Sequence, residues 1–292
     1  MKGGLCVYYF LILIAVVLFG GNFLLNDIYR VMRGNSLKIS LQFTAVSSLG
    51  GLLILLVANR GEISCTLFTL IMAILSSING IAFTFCAFKA LGKINLSMYS
   101  LYSMLGGMLL PFLQGIVFYG ESMTMAKIVC CTLIIISLLL TLDRKRISGG
   151  GWYYAGIFIL NGMSGVLTKL FTSLDFPKAD ATSFSILSGL TTLVIALISL
   201  LFINKKINTP KTTIASVGIS IAGGVANRIA NLLLVIALLH IETSAQYPLV
   251  TGGVIIISTI VSFFKKNKPT IKELVSVLLA FLGLVAMFII PI

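Results

Sequence analysis

Charged side chains are scarce in this 292-residue sequence, of which aspartate, glutamate, lysine and arginine make up only 10%. A soluble domain carries roughly 25% charged residues. Hydrophobic residues account for 58% of the chain, and its mean hydropathy is +1.10. Because so few charges cannot cover so large an apolar content in water, the composition excludes an ordinary soluble domain. It predicts an integral protein of the cell membrane, with the lipid bilayer as its surroundings.

Residues and motifs that build enzyme or metal sites are also missing. His240 is the single histidine, and the five cysteines lie in or beside apolar runs without the spacing of metal ligands. The sequence has no nucleotide-binding glycine loop, no H-x-x-x-H pair and no nucleophile elbow. We therefore expect no enzyme activity, no metal and no other cofactor. His240 with Glu242 is the one pair that resembles a catalytic arrangement.

Acidic residues are few, and we expect all eight in loops or at helix ends, with none in the middle of an apolar run. They are Asp27, Glu62, Glu121, Asp143, Asp175, Asp180, Glu242 and Glu273. The net charge of +13 comes from basic residues clustered between apolar runs. This pattern is typical of loops that face the cytoplasm and anionic lipid. Nucleic acid is not an expected partner, because no basic face carries interleaved aromatic residues.

The apolar runs are each near the length that spans a bilayer, and they predict an all-α integral membrane protein of ten transmembrane helices. The predicted helices cover residues 5–25, 38–58, 65–90, 95–119, 124–142, 151–172, 180–203, 212–239, 242–264 and 271–290. The segment "LDRKRISGGGW", Leu142 to Trp152, combines charges with three glycines and is the predicted linker. It divides the chain into two five-helix units, residues 1–145 and 146–292.

The two units resemble each other in sequence. The segment Asn95–Thr124 aligns without a gap with Ile241–Thr270. Ser97 pairs with Thr243, Gly106 and Gly107 pair with Gly252 and Gly253, Phe118 pairs with Phe264, and Thr124 pairs with Thr270. Since each unit has an odd number of helices, two copies lie in opposite orientations. The alignment thus predicts the inverted repeat of secondary transporters, with a binding site between the halves near the membrane midplane.

A family resemblance rests on "NGIAFTFCAFKALGKINLSMYSLYSMLGGMLLPFLQGIVFYGESMTMAKIVCCTLIIISLLL". This stretch has a small polar start, an A-x-K-x-(I/L) run before a tight turn, a serine near the next helix start and a G-E loop at Gly120–Glu121. It resembles an EamA-like repeat of the drug/metabolite transporter superfamily. The second half is similar, although Lys266–Asn267 replaces the G-E pair. The resemblance implies a ten-helix transporter whose fourth and ninth helices lie beside the cavity.

The distribution of basic residues and the resemblance predict opposite orientations. Fifteen of the 21 lysines and arginines fall in the odd-numbered loops, and this count predicts that those loops are cytoplasmic and that both termini are outside. The resemblance implies termini in the cytoplasm. The sequence leaves the orientation open, and it also leaves open a homodimer.

Arg228 is the strongest pointer to a binding site, because it interrupts the apolar run "IAGGVANRIANLLL". A charge at the bilayer centre costs at least about 2.5 kcal/mol. On a helix Arg228 shares a face with Asn227 and Asn231, and Gly223 and Gly224 one turn earlier permit close helix packing. We expect Arg228 to face a cavity and to bind a substrate carboxylate or phosphate. The alternative is an internal role, either in a counter-ion pair or against carbonyl groups.

Further candidate binding residues are aromatic hydroxyls and amides that suit a small polar substrate. They are Tyr99 and Tyr102 on the fourth helix, Gln246 and Tyr247 on the ninth, and Asn79 on the third. A belt position for each tyrosine and a helix-tying role for Asn79 remain open.

The predicted function is a secondary transporter that moves an amino acid or another anionic or zwitterionic metabolite by alternating access. A multidrug exporter on the same fold is the first alternative. The related small multidrug exporters depend on a membrane-embedded glutamate, which this sequence lacks. A lipid-handling membrane enzyme is a weaker alternative.

Overall fold

The computed structural model describes residues 2–120, 124–141, 152–203, 210–238, 243–265 and 268–289, and within these ranges the regular structure is all α-helical. The ten helices are α1 (Lys2–Arg33), α2 (Leu37–Ala58), α3 (Leu67–Leu91), α4 (Leu96–Tyr119), α5 (Met125–Thr141), α6 (Trp152–Ser173), α7 (Ala181–Phe202), α8 (Ile214–Leu238), α9 (Thr243–Phe263) and α10 (Ile271–Ile289). By length and composition, seven of them can cross a membrane in the described part, namely α1 to α4 and α6 to α8. The chain is therefore a membrane-embedded, multi-pass protein.

Nine helices begin and end within two residues of their predicted bounds, but the predicted end of α1 at residue 25 was wrong. The helix continues for two further turns to Arg33. Asp27, which was expected in a loop or at a helix end, therefore lies inside α1. Hydropathy could not detect this extension, because its polar side chains are buried by other parts of the chain and not by lipid.

Several helices begin at a side chain that caps the first turn. Ser36, Thr66, Asn95 and Asp180 stand directly before α2, α3, α4 and α7, and each accepts a hydrogen bond from the backbone N–H three residues later. Such caps satisfy backbone donors that the helix itself leaves free. They explain why the predicted starts of these helices were close to correct.

Eight helices form a closed ring. In order around it, α1 packs on α8, α8 on α2, α2 on α7, α7 on α3, α3 on α6, α6 on α4, α4 on α9, and α9 on α1. The remaining two helices, α5 and α10, pack on each other and join the ring through α4 and α9.

The loops fall at two ends of the bundle. Side-chain contacts link Arg33 with Pro210, and Asp27 with Lys265, at the end that carries the loops after odd-numbered helices. We call this end the basic face. Thr66 contacts Pro177, and Ser64 contacts Asp180, at the other end, where α1 begins and α10 ends. We call it the terminal face.

Helices α2 and α8 cross closely because both have glycine at the crossing. A Cβ atom on Gly224 would overlap the backbone carbonyl of Ser47, and one on Gly50 would lie 3.0 Å from Ile221 Cγ2. Small residues at such positions let helix backbones approach each other in a membrane. Gly218, on the same helix, has nothing within 4 Å of an added Cβ.

Gly224 and Gly218 allow a matched pair of substitutions on α8. Gly224→Ala is expected to lower the free energy of unfolding by about 1–3 kcal/mol, because it forces α8 away from α2. Gly218→Ala adds the same methyl group in open space and is expected to leave stability unchanged or slightly raised. Thermal unfolding of both variants in detergent tests this. Equal melting temperatures for the two would contradict the crossing described here.

Candidate functional site

A cavity of about 40 Å³ lies between α2, α7 and α8, toward the terminal face. The described residues that line it are Leu55, Ala181, Thr182, Ser185, Arg228, Asn231 and Leu232. We call it the Arg228 cavity. It combines one helix of the first half of the chain, α2, with two of the second half.

The cavity lies on the side of α7 opposite its lipid-facing stripe. Leu190, Val194, Leu197 and Leu201 are exposed and follow one another at helical spacing. Ser185 lies on the other side of the helix and lines the cavity. Ser185 therefore lies on the side of α7 away from this exposed stripe.

Two glycines make room for the side chain of Arg228. A Cβ on Gly51 of α2 would lie 2.6 Å from Arg228 Cγ, and one on Gly189 of α7 would lie 3.5 Å from Nη2. The arginine side chain thus crosses α2 where that helix has no side chain and reaches α7. Arg228 lies ten residues before the end of α8, or about 15 Å below the terminal face along the helix.

The guanidinium group has little to neutralise it. Nη1 donates one long hydrogen bond, 3.4 Å, to the carbonyl oxygen of Ser185, and no carboxylate of the described residues lies within ion-pair distance. Asn231 is exposed, and its Nδ2 donates to Asn227 O at 2.8 Å and to Asn227 Oδ1 at 3.2 Å. Asn231 is thus bonded to Asn227, and it lines the cavity together with Arg228.

The tyrosines of α4 lie elsewhere. Tyr99 is completely buried, with its ring edge-on to Phe23 at 4.9 Å between centroids, and no described residue forms a hydrogen bond with its hydroxyl group. Tyr102 stacks on Tyr154 of α6 at 6.0 Å. Both belong to the largest hydrophobic core, and neither lines the Arg228 cavity. The structure thus does not bring them together with Arg228.

Asn79 joins two helices, since its Nδ2 donates a 2.9 Å hydrogen bond to the carbonyl oxygen of Leu160 on α6. This is the helix-tying role that the sequence left open. The side chains of Gln246 and Tyr247, and the residues His240 and Glu242, lie outside the described part of the chain.

The basic face holds a charged cluster that was not predicted from the sequence. Asp27 is 7% exposed and accepts hydrogen bonds from Arg30, at 2.8 and 3.0 Å, and from Lys265 after α9. Arg33, which is 2% exposed, donates to Gln42 Oε1 at 2.6 Å and to the carbonyl oxygen of Pro210. The three-residue spacing of Asp27 and Arg30 was the one signal in the sequence that could have indicated it.

An aromatic cluster lies beside these charges, near the basic-face ends of α1, α2 and α3. The rings of Tyr29, Phe43 and Phe88 stand 4.9 to 5.9 Å apart, and Ile39 packs with them. We call these four residues the aromatic plug. All are at most 5% exposed, so they pack tightly between α1, α2 and α3 at this end.

Asp180 stands next to the mouth of the Arg228 cavity and has its own partners. Its carboxylate accepts hydrogen bonds from Ser183 Oγ at 2.6 Å, from Ser183 N at 2.8 Å and from Ser64 Oγ at 3.1 Å. The Ser183 hydroxyl contributes most to holding the pKa of Asp180 below its ordinary value, and the Ser183 backbone and Ser64 act in the same direction. The Asp180 carboxylate therefore stays ionised at neutral pH, and its oxygens are already bonded to Ser183 and Ser64.

Comparison with known proteins does not identify a family. No protein-family model matches the chain, and no curated protein is significantly similar to it.

Proposed function

We propose that this protein is a secondary transporter that moves a small organic solute, an amino acid or another anionic or zwitterionic metabolite, across the cell membrane by alternating access. One observation carries the proposal: Arg228 has no carboxylate partner among the described residues, and it lines a cavity between helices of both halves. A charge inside a membrane protein is costly unless it faces water, carbonyl groups or a bound anion. Such residues typically mark substrate pathways.

The order of helix packing supports two halves arranged as inverted repeats. Exchanging each helix for the one five places along turns the α1–α8 contact into α6–α3, the α4–α6 contact into α9–α1, and the α2–α8 contact into α7–α3. All six contacts are present. The pairs α2–α7, α4–α9 and α5–α10 are exchanged into themselves and are also in contact. A two-fold relation between five-helix halves accounts for this pattern.

The residue register supports the same relation. The gapless alignment pairs Pro111 with Ile257, and the same offset pairs Gly165 with Phe19. Gly165 of α6 lies against Pro111 of α4, and Gly20, the neighbour of Phe19, lies against Ile257 of α9. The α4–α6 crossing and the α9–α1 crossing are thus related by the same sequence offset to within one residue.

The ends of the ring differ as alternating access requires. A cavity is present toward the terminal face, whereas the aromatic plug and the Asp27 cluster close the basic face. In the proposed cycle the solute enters from the terminal face, the halves rock about the bound anion, and the plug opens. The absence of a nucleotide-binding motif in the sequence favours a gradient or exchange as the energy source.

Asp27 does not favour the multidrug-exporter alternative. Although it lies inside α1, its carboxylate is bonded to Arg30 and Lys265. Two cations already occupy the oxygens that a lipophilic cation would need.

Solute binding followed by flux tests the proposal. Purified protein is screened by thermal unfolding against a collection of metabolites, because a ligand of the folded state raises the melting temperature by mass action. A stabilising compound is then offered to proteoliposomes and to protein-free liposomes. We expect uptake only with protein. Binding without any flux above that of the protein-free vesicles would reject a transporter.

Orientation gives a further prediction from the charge count. If the basic face is cytoplasmic, a reporter fused after Ile292 and active only in the cytoplasm is expected to be silent. The same reporter inserted after Lys145, in the loop after α5, should be active and serves as the control. Activity after Ile292 with silence after Lys145 would show the reverse orientation.

A further inference from the structure

The remaining hydrogen-bond donors of Arg228 suit an anion with two adjacent acceptor oxygens. Its one hydrogen bond among the described residues is to Ser185 O, made by Nη1, so the donors of Nε and Nη2 have no protein acceptor there. A guanidinium presents paired donors in a plane, which match a carboxylate or a phosphate through two parallel hydrogen bonds. Both anions fit this criterion by charge and shape.

The amount of negative charge separates the two anions. Arg228 brings one positive charge, and no other cationic side chain of the described residues lines the cavity. A carboxylate brings one negative charge, whereas a phosphate brings about 1.5 to 2 near neutral pH and would stay partly unneutralised there. The cavity therefore matches a carboxylate beside Arg228, with the rest of the solute toward the mouth.

The walls decide what is attached to that carboxylate. Leu55, Leu232 and Ala181 supply apolar surface, and Thr182 and Asn231 supply neutral polar groups. No acidic side chain of the described residues lines the cavity, and the nearest in sequence among them, Asp180, is bonded to Ser183 and Ser64. An ammonium group would therefore lose its hydration without gaining an anionic partner.

We infer that the Arg228 cavity takes the carboxylate of a short monocarboxylic acid with an apolar substituent, in preference to an amino acid or a phosphate. This assignment rests on the proposed function. It places the carboxylate on the guanidinium and the substituent between Leu55 and Leu232. The neutral polar groups are positioned to tolerate a hydroxyl or keto oxygen on the solute.

The test compares propionate, alanine and inorganic phosphate as sodium salts at matched ionic strength, by thermal unfolding of the purified full-length protein. Alanine differs from propionate by the ammonium group alone. We expect propionate to raise the melting temperature with an apparent affinity at least about tenfold above that of alanine or phosphate. Arg228→Gln should lose this response, and Arg60→Gln, which removes an exposed arginine on the terminal face, should keep it.

Each other result overturns the assignment. Alanine or phosphate binding as tightly as propionate would reject the monocarboxylate, as would no response to propionate or an unchanged response in Arg228→Gln. The selectivity of the wild-type protein decides the matter even if Arg228→Gln does not fold. Flux separates the two claims. Propionate that binds but does not cross the proteoliposome membrane would leave the carboxylate assignment standing and reject the transporter. Protein-dependent flux of an amino acid without propionate binding would leave the transporter standing and reject the carboxylate assignment.

Discussion

Arg228→Gln is expected to abolish protein-dependent uptake while the protein remains folded. Glutamine keeps much of the length of the side chain and one amide donor pair, but it removes the charge that the cavity offers to an anion. Losing one partner of a desolvated, hydrogen-bonded charge pair costs about 2–5 kcal/mol, which is roughly a 30-fold or larger loss of affinity. Arg228→Lys keeps the charge without the planar fork, so its uptake rate should fall between those of the wild type and Arg228→Gln.

Uptake and melting temperature are measured together, with Arg60→Gln as the matched control. Arg60 is exposed in the turn after α2, so its replacement removes the same charge from the same face without touching the cavity. The control should transport as the wild type does. Normal uptake by Arg228→Gln would remove Arg228 from the substrate site. A loss of folding in both Arg228 variants would instead assign Arg228 the internal role against the Ser185 carbonyl.

Asp27→Asn is expected to destabilise the basic face. It leaves Arg30 and Lys265 without their shared carboxylate at the basic face. Breaking a fully buried pair costs about 3–5 kcal/mol. The Arg30 and Lys265 side chains remain 21% and 25% exposed, so water screens part of the loss, and about 2 kcal/mol is the expected cost here.

The double variant Asp27→Asn/Lys265→Met separates charge imbalance from lost packing. Removing the unpaired lysine charge should recover part of the melting temperature that Asp27→Asn loses. Asp175→Asn, in the exposed loop before α7, is the control and should unfold like the wild type. If Asp27→Asn is as stable as that control, the cluster does not hold the basic face closed.

The sequence predicted the helices well and the long-range contacts poorly, for a physical reason. Apolar runs of membrane length and capping residues such as Asn95 and Asp180 are local signals, so nine helices were placed within two residues. The end of α1 depends on burial of Asp27 and Arg33 by α2, Pro210 and Lys265, which are distant in sequence. Hydropathy along one segment contains no information on such partners.

The site residues show the same contrast between local signals and long-range contacts. Helical spacing alone predicts that Arg228, Asn227 and Asn231 share a face; Asn231 is bonded to Asn227, and Arg228 and Asn231 both line the cavity. The glycines that receive Arg228, Gly51 and Gly189, are on other helices and carry no pattern that sets them apart. Tyr99 looked like a cavity residue from its hydroxyl group, but its ring packs on Phe23 in the core.

The reactivity of single cysteines on the two sides of the plug tests alternating access most directly. In a protein whose five native cysteines are replaced, Thr182→Cys lies at the cavity mouth and Ile39→Cys lies in the aromatic plug. Both are exposed to a membrane-impermeant thiol reagent in detergent, with and without propionate or another compound that stabilises the fold. If the halves alternate, the solute lowers the reaction rate at residue 182 and raises it at residue 39. Rates that change in the same direction, or that do not change at residue 39, would contradict it.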